Sequence, residues 1–323
     1  MRVAVLMGGR SGEHDVSLRS GAAVLDALAT LGHESLSLTF LREGGAQVGG
    51  HPATTTAGAL LALEAWRPDC AFIAMHGEDG EDGRVQGALE LLGIPYQGSG
   101  IQASALGLDK IRTKAILRAH GLPVADDRVV QRGEATDWEA LATALGLPLV
   151  LKTPASGSSV GVEIVPDLES LRARGEALVA QAGRLLVEAF VAGRELTLPV
   201  VEAEDGTPEG LPTVEIRPRT AAFFDYEAKY TPGATDEICP APIDPTLESS
   251  LRALGVAAHR ALGCRGYSRT DCIVAHDGRI ALLEVNTLPG LTRESLLPKS
   301  AAAAGMSFPA LIGRLLRRAL APR

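Results

Sequence analysis

The chain has 323 residues, 46% hydrophobic and 22% charged, the balance of a globular protein with room for two or three domains, which excludes wholesale disorder. Its net charge of −8 is spread along the sequence, so no basic stripe exists to grip a phosphate backbone and no nucleic-acid partner is expected. The opening apolar run Val3–Met7 is too short for a signal peptide, and no stretch of about 18 apolar residues offers a membrane span, so a cytoplasmic, soluble protein is expected.

Val3–Met7 reads as a short buried strand, which GGRSGEHDVS turns into a helix carrying Val24, Leu25, Leu28 and Leu31 on one face and stopping at Gly32. A second strand, Cys70–Met75, runs through HGEDGEDG into a helix over Arg84–Leu92. Strand, glycine loop and helix, twice over, predict an open parallel α/β sheet of Rossmann-like form, with ligands at the carboxyl ends of its strands. This first domain is expected over 1–100. A helix over Ala103–His120, closed by Gly121 with Pro123 beyond, begins a small α+β unit over 101–190. Its strands are Pro148–Lys152, a segment ending at Val165, and Leu185–Glu188, with a helix starting at Leu168. Strands return over 191–323. The aperiodic segment from Arg217 to Pro245 contains FFDYEAKY and reads as a functional loop, because loops this long in compact domains usually are. The final helix buries Phe308, Leu311, Ile312, Leu315, Leu316 and Ala319.

The most informative stretch is SRTDCIVAHDGRIALLEVNTLPG. Asp277-Gly278 is a favoured two-residue hairpin turn, and such a hairpin sets Asp271 opposite Glu284 and Arg269 opposite Asn286. Strand alternation then projects all four from one face, with Ile273, Val274, Leu282, Leu283 and Val285 supplying apolar cover. Two carboxylates and an amide oxygen together suit a hard cation such as Mg²⁺, and the neighbouring arginine suits an anion beside it. A solvent-facing acid/base ladder is the alternative, but Asn286 leads straight into the rigid turn TLPG.

Other features are weaker alone. Gly157-Ser158-Ser159-Val160-Gly161 follows a strand ending in Lys152, a geometry whose backbone N–H groups can cover phosphates; a flexible connection is the competing reading. Glu13 lies in the first strand-to-helix loop, where a carboxylate can receive a ligand ammonium or cap a helix. His76 ends the second strand and is either a core histidine or a ligand contact. The four cysteines lack any CxxC pair and read as small buried hydrophobes, not as a zinc or disulfide framework. Lysine is scarce: only Lys110, Lys114, Lys152, Lys229 and Lys299 stand among 31 basic residues.

Together these pieces resemble the ATP-grasp enzymes and, within them, the D-alanine–D-alanine ligase family. The likeness spans nearly the whole chain, through GGRSGEHDVSLRSG, HGEDGEDGRVQGALELLGIPYQGSG, ASALGLDKIRTK, GSSVG, FFDYEAKY, RTD, EVNTLPGLT and ESLLP in the family's order. It implies an ATP-grasp fold preceded by the open parallel α/β domain, with ATP enclosed between antiparallel sheets, and a homodimer. By the same resemblance, Lys110 and Lys152 hold nucleotide phosphates with the Ser159 loop, and Lys229 closes over the γ-phosphate. Glu188 and the backbone at Val191 meet adenine, and Glu195 meets ribose. Asp271, Glu284 and Asn286 hold Mg²⁺ or Mn²⁺, two ions in the family. Glu13, linked through Ser158 to Tyr230, receives the ammonium of a first D-alanine, with His76 nearby. Arg269 and the Gly290 N–H form an oxyanion site, and Ser295 with Leu296 a pocket for the second D-alanine. Thr153 stands where the family usually has proline, and Ala189 where lysine is frequent.

The implied reaction joins two D-alanines through a D-alanyl phosphate. A same-fold ligase accepting D-lactate or D-serine, an ATP-dependent phosphotransferase and a non-catalytic nucleotide-binding regulator are the alternatives. Lys229→Ala is expected to bind ATP yet turn over slowly, measured by calorimetric ATP binding beside phosphate release; unchanged turnover would remove Lys229 from the scheme.

Overall fold

Strand β1 (Arg2–Gly8) is buried from Val3 onward, as a strand covered on both faces must be. In the computed structural model, which describes residues 1–154, 161–218 and 235–321, β1 lies parallel to and between β2 (Glu34–Phe40) and β4 (Cys70–Ile73). The short β3 (Ala46–Val48) adds an antiparallel edge to β2. The expected parallel sheet thus gains an antiparallel strand, and helix α2 (Thr56–Trp66) fills a stretch with no sequence-based expectation. Helix α1 (His14–Thr30) follows β1, and its Ser17 hydroxyl stitches the strand ends together. Ser17 Oγ accepts from the Gly8 N–H at 2.8 Å and donates to the Ala74 carbonyl at 2.7 Å, fixing the carboxyl edge where ligands are expected.

Helix α3 (Arg84–Leu91) forms as anticipated. The single helix expected over Ala103–His120 is instead two, α4 (Ile101–Leu108) and α5 (Lys110–Ala119). Asp109 breaks it: its backbone is extended, and its carboxylate accepts from the N–H groups of Ile111 and Arg112, both at 3.1 Å. That is N-capping, which outweighs continuing the helix. The cap makes Lys110 the first residue of α5.

A second sheet, wholly antiparallel, has the order β5-β8-β6-β7 and comprises β5 (Asp127–Gln131), β6 (Leu149–Lys152), β7 (Val162–Val165) and β8 (Arg184–Ala189). Helices α6 (Trp138–Leu145) and α7 (Leu168–Ala182) close its core around Trp138, Leu151 and Val187. The third sheet, also antiparallel, runs β12-β11-β9-β13-β14 with β10 beside β9. Its strands are β9 (Gly193–Glu202), β10 (Pro208–Gly210), β11 (Val214–Pro218), β12 (Thr235–Ile238), β13 (Tyr267–Ala275) and β14 (Ile280–Asn286). Helix α8 (Pro245–Ala261) packs on it, burying Leu251 and Ala258 with Leu196, Cys272 and Val285. Cys70, Cys264 and Cys272 are buried and unbridged, in keeping with their reading as hydrophobes.

Packing does not follow three consecutive segments. Leu117 of α5 belongs to the core of the third sheet. After α9 (Leu296–Ala303), the last helix, α10 (Phe308–Leu320), returns to the first sheet, where Leu311, Ile312, Leu315 and Leu316 join Val5 and Leu28.

The β13–β14 hairpin departs from expectation at its tip and meets it at its base. Ala275 exchanges a bond with Arg279, its N–H donating to the Arg279 carbonyl at 2.8 Å, which leaves a three-residue loop, His276-Asp277-Gly278, in place of the expected two. Pairing continues through Val274↔Ile280 and Cys272↔Leu282, then shifts by one residue, so that Asp271↔Glu284 and Arg269↔Asn286 stand opposite as anticipated. The extra residue at the shift is Leu283, a β-bulge of the kind found beside functional sites. The apolar cover also divides: Val274, Leu282 and Val285 face the helix-side core, whereas Ile273 and Leu283 face the opposite side.

Gly193 opens β9 directly against Ala275. A Cβ there would lie 2.2 Å from the Val274 carbonyl oxygen, and backbone cannot step aside as a side-chain tip can. Gly193→Ala is expected to cost about 1–3 kcal/mol in urea unfolding at unchanged m-value; wild-type stability would contradict this close approach.

Candidate active site

Strands β6, β7 and β8 on one side and β9, β13 and β14 on the other wall a cavity of about 130 Å³ that opens to solvent. Its apolar lining comes from Val150, Val162 and Ile164 of the second sheet and Ile273 and Leu283 of the third. The bulge at Leu283 turns that side chain into the cavity beside Glu284, which simple alternation forbids. Six charged side chains share this lining: Lys110, Lys152, Glu188, Glu195, Asp271 and Glu284. With Val191, also at the wall, seven residues expected to serve the nucleotide or its metal surround one space.

Buried charges must be paired, and here they are. Lys152 Nζ lies 2.5 Å from Glu188 Oε2. Burial works against the Lys152 ammonium, but the charge and hydrogen bond of Glu188, with Glu284 and Glu195 further off, outweigh it and raise its pKa. Burial likewise opposes the Glu188 carboxylate, yet Lys152 and Lys114 hold its pKa below the ordinary value. Lys110 Nζ is 3.3 Å from Glu284 Oε2. Arg269 grips Asp271 with two parallel bonds, Nε to Oδ1 at 2.9 Å and Nη2 to Oδ2 at 2.8 Å, the bidentate geometry a guanidinium favours.

Asp271 and Glu284 are a directly opposed pair, both at the cavity, and each already meets a cation. Two carboxylates that demand positive charge are the donor set a divalent cation needs. Asn286 pairs with Arg269 on the same hairpin, and its Oδ1 accepts from the Leu288 N–H at 2.9 Å, one of two lone pairs an amide oxygen offers. This set fits Mg²⁺ or Mn²⁺ by its chemistry. Among the described residues no group of three His, Cys, Asp or Glu side chains forms such a site.

A second cluster sits at the carboxyl end of the first sheet. His76 is buried, with Nε2 3.0 Å from Ser20 Oγ, Nδ1 3.1 Å from the Leu288 carbonyl, and Glu81 Oε1 3.9 Å away. Its ring therefore braces the turn after β14, and Ser20 also accepts from the Leu291 N–H at 3.4 Å. Burial opposes the imidazolium, but the nearby carboxylate of Glu81, with the charge of Glu13 and the Leu288 carbonyl, overcomes it and raises the pKa. The Glu81 carboxyl is pushed up, chiefly by burial and also by Glu13, against the pull of His76. Glu13 reaches this cluster because Gly77 has no side chain: a Cβ there would stand 3.0 Å from Glu13 Oε2, and its φ of +67° suits glycine. Arg269 feels Asp271, Glu284 and Glu81, so it stands between the two clusters.

Among the remaining expectations, Ser295 precedes α9 and its hydroxyl meets Thr292 Oγ1 at 2.8 Å; a Cβ on Gly290 would lie 2.9 Å from Ser295 Oγ, so the two are neighbours. Leu296 is buried with Val214 and Ile216. Ser158, Ser159, Lys229 and Tyr230 lie outside the described residues. Two residues of the site received no role from sequence reasoning: Glu81, hidden among the acids of HGEDGEDG, and Lys114, marked by lysine scarcity and by closing the stretch ASALGLDKIRTK.

A family model described as D-ala D-ala ligase C-terminus matches residues 116–317, and one described as D-ala D-ala ligase N-terminus matches residues 51–99. The chain belongs to the D-alanine–D-alanine ligase family. It is 47% identical over 319 residues to the D-alanine–D-alanine ligase of Desulforudis audaxviator, covering 98% of both chains. Among solved structures, the D-alanine–D-alanine ligase from Bacillus anthracis superposes with a TM-score of 0.82 at 36% identity, covering 99% of this chain and 97% of that one. The same ligase complexed with ATP superposes at 0.81 and 33% identity, with equal coverage. The two facing antiparallel sheets behind an open α/β domain are thus the ATP-grasp architecture of this family.

The His76–Glu81 pairing fixes a direction. A raised imidazole pKa contributes stability that is full below the unfolded value, near 6.5, and is lost as pH rises through the folded value. In Glu81→Gln the opposing effect of burial gains ground, and the His76 titration followed by NMR is expected to move to lower pH. An unmoved titration would show that Glu81 does not hold that charge.

Proposed function

We propose that this chain ligates two D-alanines to D-alanyl-D-alanine at the expense of ATP, releasing ADP and phosphate and supplying a precursor of cell-wall peptidoglycan. The observation that carries the reading is a cavity between two antiparallel sheets that Lys110 and Lys152 line together with the opposed carboxylates of Asp271 and Glu284, in a chain of this family. Family likeness extends it to a cytoplasmic homodimer.

A carboxylate is a poor acyl donor and must be activated before an amine attacks it. Lys110 and Lys152 bind and orient the triphosphate, with adenine at Glu188 and Val191 and ribose at Glu195. Asp271, Glu284 and Asn286 would hold Mg²⁺ or Mn²⁺, which supplies charge neutralisation to the phosphates when bound. Glu13 receives the ammonium of the first D-alanine and so turns its carboxylate toward the γ-phosphorus; positioning is the larger part of such a transfer. The second D-alanine, seated near Ser295 and Leu296, attacks the resulting D-alanyl phosphate through its free amine. Arg269 and the Gly290 N–H stabilise the tetrahedral oxyanion, and loss of one such donor typically costs about 10²–10³ in rate. Ser158, Lys229 and Tyr230 complete the scheme by family resemblance.

The test is incubation with ATP and D-alanine, following phosphate release and product mass. The expected result is dipeptide with one phosphate released per bond. Phosphorylated substrate without dipeptide would support a phosphotransferase, and no turnover a regulator; either overturns the proposal. D-lactate and D-serine, offered beside D-alanine, are expected to be poor acceptors.

A further inference from the structure

Lys114 has no place in the scheme above, yet it is among the most deeply buried charges in the molecule, 1% exposed. It projects from α5, the helix whose Leu117 packs into the core of the third sheet. Its ammonium, however, ends in the second sheet: Nζ donates to the Ala125 carbonyl at 3.0 Å, pairs with Glu188 Oε1, and lies 3.5 Å from Asp127 Oδ1. Asp127 is the cross-strand partner of Glu188 and is itself bound by Arg118. Glu188, 2% exposed, is therefore held from two sides, with Lys114 on one oxygen and Lys152 on the other. Lys152, Glu188 and Ala125 line the cavity, while Lys114 stands behind them.

This arrangement solves a problem of charge. A lysine that binds phosphate must release the carboxylate it now pairs with, and a buried carboxylate stripped of its sole cation is strongly destabilising. We infer that Lys114 is a positioning residue of the nucleotide site, a fixed counter-cation that keeps Glu188 compensated and oriented while Lys152 turns to the phosphates. The inference rests on the reading of Lys152 as a phosphate ligand. Its chemistry requires a permanent positive charge at Lys114, not merely a side chain that fills space.

The experiment measures ATP affinity by calorimetry and the KM for D-alanine in five proteins: wild type, Lys114→Met, Lys114→Arg, Glu188→Gln and the Lys114→Met/Glu188→Gln double variant. Lys114→Met is expected to weaken ATP binding by about tenfold or more while the D-alanine KM stays within about twofold. Lys114→Arg, which keeps the charge, is expected to restore most of the affinity. In the Glu188→Gln background, where the carboxylate that faces Lys152 is gone and Asp127 keeps Arg118 as its cation, Lys114→Met is expected to have no further effect on ATP affinity. Lys114→Gln, retaining a donor without the charge, serves as a second variant should Lys114→Met fail to fold, with the same loss expected. Folded Lys114→Met or Lys114→Gln with wild-type ATP affinity, or an equal loss in the Glu188→Gln background, would overturn the inference and leave Lys114 as a strut between sheets. A wild-type chain that binds no ATP would overturn the nucleotide reading itself, an outcome distinct from either.

Discussion

Two sheets face each other across a space whose walls are apolar but whose charges are nearly all paired, and that pairing governs the rest of the molecule. Burying an isolated ammonium or carboxylate costs several kcal/mol even after relaxation, so each of Lys110, Lys114, Lys152, Glu188, Arg269, Asp271 and Glu284 must arrive with its complement. The backbone features around the cavity serve this requirement. The cap at Asp109 starts α5 so that Lys110 reaches Glu284 and Lys114, one turn on, reaches Glu188. The bulge at Leu283 restores the register that brings Glu284 opposite Asp271.

The hairpin shows how much of this a sequence reveals and why. Strand alternation and an Asp-Gly turn suffice to bring Asp271 and Glu284 together, and they stand opposite each other. The route is different: a longer loop moves the register by one residue and the bulge moves it back. The bulge places Leu283 in the cavity lining, and a strand pattern of strict alternation carries no record of loop length or bulge. The helix break at Asp109 was hidden for a similar reason. Apolar periodicity continues through it, and one side-chain cap outweighs the continuation.

Contacts between distant segments were the least legible. Glu188 and Lys114 are separated by 74 residues in the chain and lie on different cores; nothing in either local pattern announces the other. The oddity that did register was compositional, because in a chain where arginine is the default base each retained lysine marks a place where a compact point charge matters. Resemblance to the family gave roles to Lys110, Lys152 and Asp271; it gave none to Lys114, although Lys114 closes the same stretch ASALGLDKIRTK. His76 illustrates the converse: a motif residue whose ring, once seen, is engaged with Ser20 and Leu288 as a brace between the first sheet and the turn after β14.

These braces bear on how the molecule divides. The first and third sheets share one apolar core, in which Val201, Tyr267, Leu288 and Leu291 pack with Phe72 and Leu89. Buried polar ties reinforce it: Gln97 donates to the Tyr267 hydroxyl at 3.1 Å, and Arg265 donates to the Arg318 carbonyl at 2.8 Å, anchoring α10. The second sheet has a core of its own around Leu151 and Val187. At the cavity it meets the third through lining residues, and it is tied by the Lys114–Glu188 pair to α5, which packs on the third sheet's core; a boundary of that kind yields to relative motion more readily than a shared apolar core. On the proposed reading, a ligand carrying several negative charges and seated on that boundary would draw Lys152 from Glu188 on one side and Lys110 from Glu284 on the other. Its binding and the fit of the two sheets are therefore one equilibrium, set by how completely each buried carboxylate stays compensated when its lysine turns away.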